Sequence, residues 1–170
     1  MSTIELWRLF HPELTIRAAA LRALSEATAH GEAMAGATCY ALRDVLLGDE
    51  RAAQRAAAAR LLGAAISRRS ASRRREAHQA GADAPSDAEI GAWLALGLDD
   101  EAASVRDAVC GALARMAAPE GRAQLPRLEA VCLGDRSWSV RRSAVRARVA
   151  LTPPAQREAV HACVALLRAV

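Results

Sequence analysis

Residues 133–142 read LGDRSWSVRR: a leucine, an aspartate two places on, and an arginine six places after the aspartate. The same figure is written as LGDERAAQRA from Leu47 and as LDDEAASVRD from Leu98. Aligned on the leucine, Leu9, Leu47, Leu98 and Leu133 are followed seven places later by Ile16, Gln54, Val105 and Val140, and then by Arg17, Arg55, Arg106 and Arg141. These arginines stand 38, 51 and 35 residues apart, the period of stacked helix pairs with one enlarged unit.

Helical spacing follows each arginine. Ile16, Ala20, Ala23, Leu24 and Ala27 in the first unit match Val105, Val109, Ala112, Leu113 and Met116 in the third. A second apolar helix precedes each leucine: Cys39, Leu42, Val45 and Leu46 superpose on Leu125, Leu128, Val131 and Cys132, and Ile90, Trp93 and Leu96 take the matching places between them. Start and stop signals agree with this division. Pro12 opens the first long helix and Gly31 follows it, and Ser86 with Glu89 reads as a capping box. Ser2 with Glu5 starts a short N-terminal cap helix, which Trp7 would fix to the first unit. In the closing stretch TPPAQREAVHACVALLRAV, Thr152 can cap, Pro153 suits a first turn, and Val160, Cys163, Val164 and Leu167 form a stripe. Arg148 falls where Leu113 and Leu24 stand, so the last arginine-bearing helix is expected to rotate onto Val145 and Val149.

On the leucine, the aspartate and the aliphatic-arginine pair, the chain resembles the HEAT repeats, in particular the short HEAT-like repeats of bacterial proteins and phycobilin lyases. Two departures stand out: His11 replaces the aspartate of the first unit, and Gln54 the aliphatic residue of the second. The resemblance implies an all-α fold, a right-handed α-solenoid of about four antiparallel helix pairs with a short N-terminal cap helix. One domain, 1–170, divides into units of about 9–47, 48–98 with an insertion at 67–85, 99–133 and 134–170. Asp49, Asp100 and Asp135 would then sit at turns into a helix and accept free N–H groups there. Arg55, Arg106 and Arg141, two turns further in, could fork onto an aspartate of the same or the next unit. The motif is thus expected to be a stacking ladder rather than a reaction centre.

Composition bounds the rest. Apolar residues make up 52% of the 170, yet aromatic ones only 3%, and alanine is about a quarter, which calls for small side chains and closely approaching helices. The net charge of +4 is matched by the surplus in residues 68–78 alone, so the basicity is local. Cys39, Cys110, Cys132 and Cys163 lack paired spacing and read as reduced, buried hydrophobes. No long apolar run or leader is evident, and a soluble cytoplasmic protein is expected.

For function, the insertion SRRSASRRREAHQAGADAP, 67–85, reads as a flexible loop or a helix extension with a frayed end. Its Arg68, Arg69, Arg73, Arg74 and Arg75 could hold nucleic-acid phosphates, an acidic protein surface or lipid headgroups, or could simply be solvated. Trp138 either anchors a partner or closes a gap between units, and Trp93 is expected in the core. His11, His30, His78 and His161 are isolated, with no H-E-x-x-H pattern and no glycine-rich phosphate loop. No catalytic residue, metal or cofactor is assigned. The expectation is a scaffold that binds another protein along a concave face lined by the helices preceding each leucine, with Arg43, Asp44, Arg122, Arg127, Glu129, Arg157 and Glu158 exposed on it. The alternative is a DNA or RNA binder working through the arginine run, related to HEAT-like DNA glycosylases.

Overall fold

The computed structural model describes residues 5–73, 84–116 and 120–153, and the side chains of 68–73 are left aside. Within these residues every regular element is helical: α1 (Leu14–Ala29), α2 (Gly36–Gly48), α3 (Ala52–Arg73), α4 (Asp87–Leu96), α5 (Ala103–Leu113), α6 (Leu125–Gly134) and α7 (Trp138–Leu151). Short 3-10 turns cover Leu6–Phe10, Gly97–Asp99 and Glu120–Gln124. No described helix is long and apolar enough to cross a membrane.

The four arginine-bearing helices touch in chain order, α1 on α3, α3 on α5 and α5 on α7. The others pack onto that row, α2 mainly on α3, α4 on α3 and α5, and α6 on α7. One apolar cluster runs continuously from Leu9 to Leu151. Its centre is built from small residues: Ala56, Ala58, Ala59 and Ala65 of α3 and Ala108 and Ala112 of α5 are all buried. Short side chains let these two helices close until Gly63 lies against Ala112, where a Cβ on Gly63 would come within 2.7 Å of the Ala112 Cα.

The sequence signals at helix ends are largely met. Ser86 accepts from Glu89 N–H while the Glu89 carboxylate accepts from Ser86 N–H at 2.7 Å, a complete capping box that also holds the Glu89 carboxyl below its ordinary range. Gly31 follows α1 with φ of 101°, the left-handed conformation that lets Glu32 N–H return to Ala27 O. Thr152 instead closes α7, its hydroxyl donating to Arg148 O, and the stretch it was expected to cap lies outside the described residues from 154 on.

Four expectations are corrected. Leu9 and Leu6, not Trp7, attach the N-terminal turn to the body; Trp7 is exposed beside His11 and Arg8. That turn is a 3-10 turn beginning at Leu6, and Ser2 lies outside the described residues. Leu96 is exposed and Leu98 buried, because α4 buries the face of Ile90, Gly91, Leu94 and Ala95, whose regular helical spacing leads on to Leu98 and leaves Leu96 on the opposite side. Helix α7 is not rotated: it buries Val140, Ala144, Ala147 and Leu151, the register of Val105, Val109 and Ala112 in α5 and of Met116 just after it. Arg148 occupies the Leu113 position by extending its stem past the core edge to Glu129, 3.1 Å away. Residues 67–73 of the insertion are the end of α3, while 74–83 lie outside the described residues, as do Val160, Cys163, Val164 and Leu167.

Candidate functional site

Each repeated aspartate stands three residues before the first residue of its following helix, at the close of the preceding element. Its Oδ1 accepts the N–H two residues on: Arg51 for Asp49, Ala102 for Asp100 and Ser137 for Asp135, at 2.7 to 2.8 Å. That local ring fixes the carboxylate in place and turns it toward the arginine of the previous unit. Arg55 grips Asp100 through Nε–Oδ2 at 2.7 Å and Nη2–Oδ1 at 2.9 Å; Arg106 grips Asp135 through the same atoms at 2.6 and 2.9 Å. The remaining guanidinium nitrogen turns inward to the arginine's own turn. Arg55 Nη1 donates to Asp49 O and Arg106 Nη1 to Asp100 O, and Arg141 Nη1 donates to Asp135 O in the same manner. Each arginine therefore joins the backbone of its own turn to the carboxylate of the next, which answers the two options the spacing left open. The continuation beyond Arg141 would lie outside the described residues.

The first unit reproduces the device with different chemistry. His11 Nδ1 accepts Glu13 N–H at 3.1 Å, taking over the aspartate's local bond, and Arg17 Nη1 donates to His11 O at 2.8 Å. Arg17 reaches Asp49 less squarely: its Nε is 3.1 Å from Oδ2 but is not aimed at it, and Nη2 is 3.5 Å from Glu50.

These pairs are nearly sealed from water, which shapes their acid behaviour. Arg106 and the Ser137 N–H hold the Asp135 carboxyl below its ordinary range. For Asp100 burial pushes upward, but the Arg55 fork and the Ala102 N–H outweigh it and the net shift is also downward. A carboxyl with a lowered folded-state pKa contributes its full stability above the unfolded value, about 3.9, and loses it as pH falls through the lower folded value. In urea titrations, wild type should therefore exceed Asp135→Asn clearly at pH 7, and the gap should close in strong acid, well below pH 4. A gap unchanged between those conditions would contradict the ion-pair account.

Of the other charges singled out in the sequence, Arg122 is exposed with no ion-pair partner among the described residues, and the following are satisfied locally. Arg127 bonds Asp99, Glu129 takes Arg148, and Arg43 pairs with Asp44 at 2.6 Å while lying over the rings of Tyr40 and Trp93. Trp93 is half-buried against Tyr40, ring centroids 5.3 Å apart, rather than deep in the core. Trp138 is 63% exposed with Arg142 stacked on it at 4.8 Å, so it fills no gap between units. The backbones of Arg68, Arg69 and Arg73 belong to the end of α3, and Arg74, Arg75, Arg157, Glu158, His78 and His161 lie outside the described residues. Cys39, Cys110 and Cys132 are buried, and burial pushes the Cys110 thiol up to about 12, far from reactivity at neutral pH.

One concavity among the described residues was not anticipated from the sequence. A cleft of about 800 Å³ runs between α1 and α3, with Arg115 at one end. Ala18, Leu21, Ala57, Leu61 and Ala64 form an apolar floor, and exposed Arg22 and Arg60 rim it. Gln54 also lines it, only 7% exposed and without a hydrogen-bond partner among the described residues. The available signal was Gln54 itself, a polar residue at the one repeat position otherwise held by Ile16, Val105 and Val140. Compared with protein-family models, with curated proteins and with solved structures, the chain matches none.

Proposed function

We propose that this chain is a HEAT-like α-solenoid acting as a non-enzymatic scaffold, and that it binds another protein on the row formed by α1, α3, α5 and α7. The observation that carries this reading is the open, apolar-floored cleft between α1 and α3, held between helices whose turns are stapled by buried arginine-aspartate contacts. A cleft that spans two helices and is rimmed by unpaired cations suits protein side chains laid along a rigid support. The placement differs from the face lined by α2, α4 and α6, whose Arg43, Arg127 and Glu129 are already engaged with neighbours. Buried thiols suit work in a reducing compartment, the cytoplasm.

Affinity capture of the tagged full chain after nuclease treatment tests the reading. A stoichiometric protein partner that survives nuclease is expected. Recovery of nucleic acid, lost on nuclease treatment and on neutralising Arg68, Arg69 and Arg73, would favour the DNA or RNA alternative instead. Return of the bait alone would refute the scaffold.

A further inference from the structure

Resting on the scaffold reading, we infer that the α1–α3 cleft takes a short extended acidic peptide, with aliphatic side chains directed to the floor and carboxylates to Arg22, Arg60 and Arg115.

Three observations converge on that chemistry. First, Arg22 and Arg60 each stand five residues beyond a staple arginine, so two equivalent positions on adjacent helices face one cleft. In α5 the equivalent position is Gly111, and the cation there is supplied one turn later by Arg115. None of Arg22, Arg60 and Arg115 has an ion-pair partner among the described residues, whereas Arg17, Arg55 and Arg106 close by are all engaged. Second, the floor is alanine and leucine, which a carboxylate alone would leave uncovered; the occupant must bring apolar side chains as well. Third, Gln54, a largely buried residue, presents to the cleft an amide that bonds no described residue and stays open to solvent. An amide offers one acceptor and two donors, the complement of the N–H and C=O that an extended peptide exposes and a helix or an aliphatic ligand does not.

Length fits too. From Ala18 to Ala29 the wall of α1 rises about 17 Å at 1.5 Å per residue, the span of about five residues of extended chain. In such a chain alternate side chains point to opposite sides, so the recognised pattern is aliphatic and acidic residues in alternation.

The test uses fluorescence anisotropy of a labelled hexapeptide alternating leucine and glutamate, against the same peptide with glutamine for glutamate, on the full chain. The acidic peptide should bind, weaken as salt rises, and exceed the glutamine peptide about tenfold or more. The double variant Arg22→Glu/Arg60→Glu should lose about tenfold or more, while Arg142→Glu on α7 should stay within about twofold. Gln54→Val adds a readout that misfolding cannot imitate: Tm should hold or rise, since the equivalent repeat positions are Ile16, Val105 and Val140, while peptide affinity falls. The inference is overturned by no binding, by equal binding of the two peptides, or by undiminished binding to Arg22→Glu/Arg60→Glu. Should a captured protein partner persist on that double variant, the scaffold reading stands and only the acidic-peptide cleft falls.

Discussion

Arg106→Ala will destabilise the fold by about 3–5 kcal/mol, read as a shift in the urea midpoint at pH 7. The truncation leaves the buried Asp135 carboxylate without the two-point guanidinium contact and removes the donor that Asp100 O and Glu101 O share. Arg106→Lys should recover only part of that loss, because an ammonium supplies a point charge where the site is built for a planar fork reaching two turns at once. Arg127→Ala is the informative comparator. Arg127 also pairs with a distant aspartate, Asp99, but both side chains are exposed, and its removal should change stability by no more than about 0.5 kcal/mol. Equal effects at the two positions would mean that the repeated motif is ordinary surface charge.

Gly63→Val should destabilise by about 2–3 kcal/mol, although glycine inside a helix is normally the poorer residue. The reason lies in the α3–α5 contact, where an added Cβ meets the Cα and Cβ of Ala112 at 2.7 Å. A backbone atom cannot swing aside as a flexible side chain does, so the helices must separate and surrender packing along the alanine-rich seam. At Gly111, on the exposed side of α5, a Cβ would meet nothing within 4 Å, and Gly111→Ala should instead stabilise by up to about 1 kcal/mol. Opposite signs for two helical glycines, measured in the same urea titrations, would establish that α3 and α5 touch through their backbones.

Sequence and structure agree where one residue has one role. The stapling pattern was visible because aspartate and arginine recur at fixed separation, and the buried faces of α2 and α5 because their periodicity is unbroken. Spacing could not show that each arginine serves two turns, since donation to the carbonyl six residues back leaves no trace in side-chain identity. His11 looked like a defect; in three dimensions its ring nitrogen performs the aspartate's local task. Leu96 was misplaced because the alignment took Ile90, Trp93 and Leu96 as one stripe, whereas α4 buries the face of Ile90, Gly91, Leu94 and Ala95. Arg148 defeated the template differently: a long stem let a charge occupy a leucine position without turning the helix. The cleft was hidden for a related reason. Alanine carries no mark of exposure or burial in its identity, and only the spacing between α1 and α3 decides whether Ala18, Ala57 and Ala64 are covered.

A double-mutant cycle on Arg106 and Asp135 tests the central claim most directly, using Arg106→Ala, Asp135→Asn and the combined variant in urea unfolding at pH 7. Asparagine keeps an oxygen for the Ser137 N–H, so the cycle isolates the contact between units. Burial of both side chains and the two-point geometry predict that the double variant loses about 2 kcal/mol less than the sum of the single losses. Additivity within about 0.5 kcal/mol would contradict the account, because the helices would then be held in series by apolar packing alone.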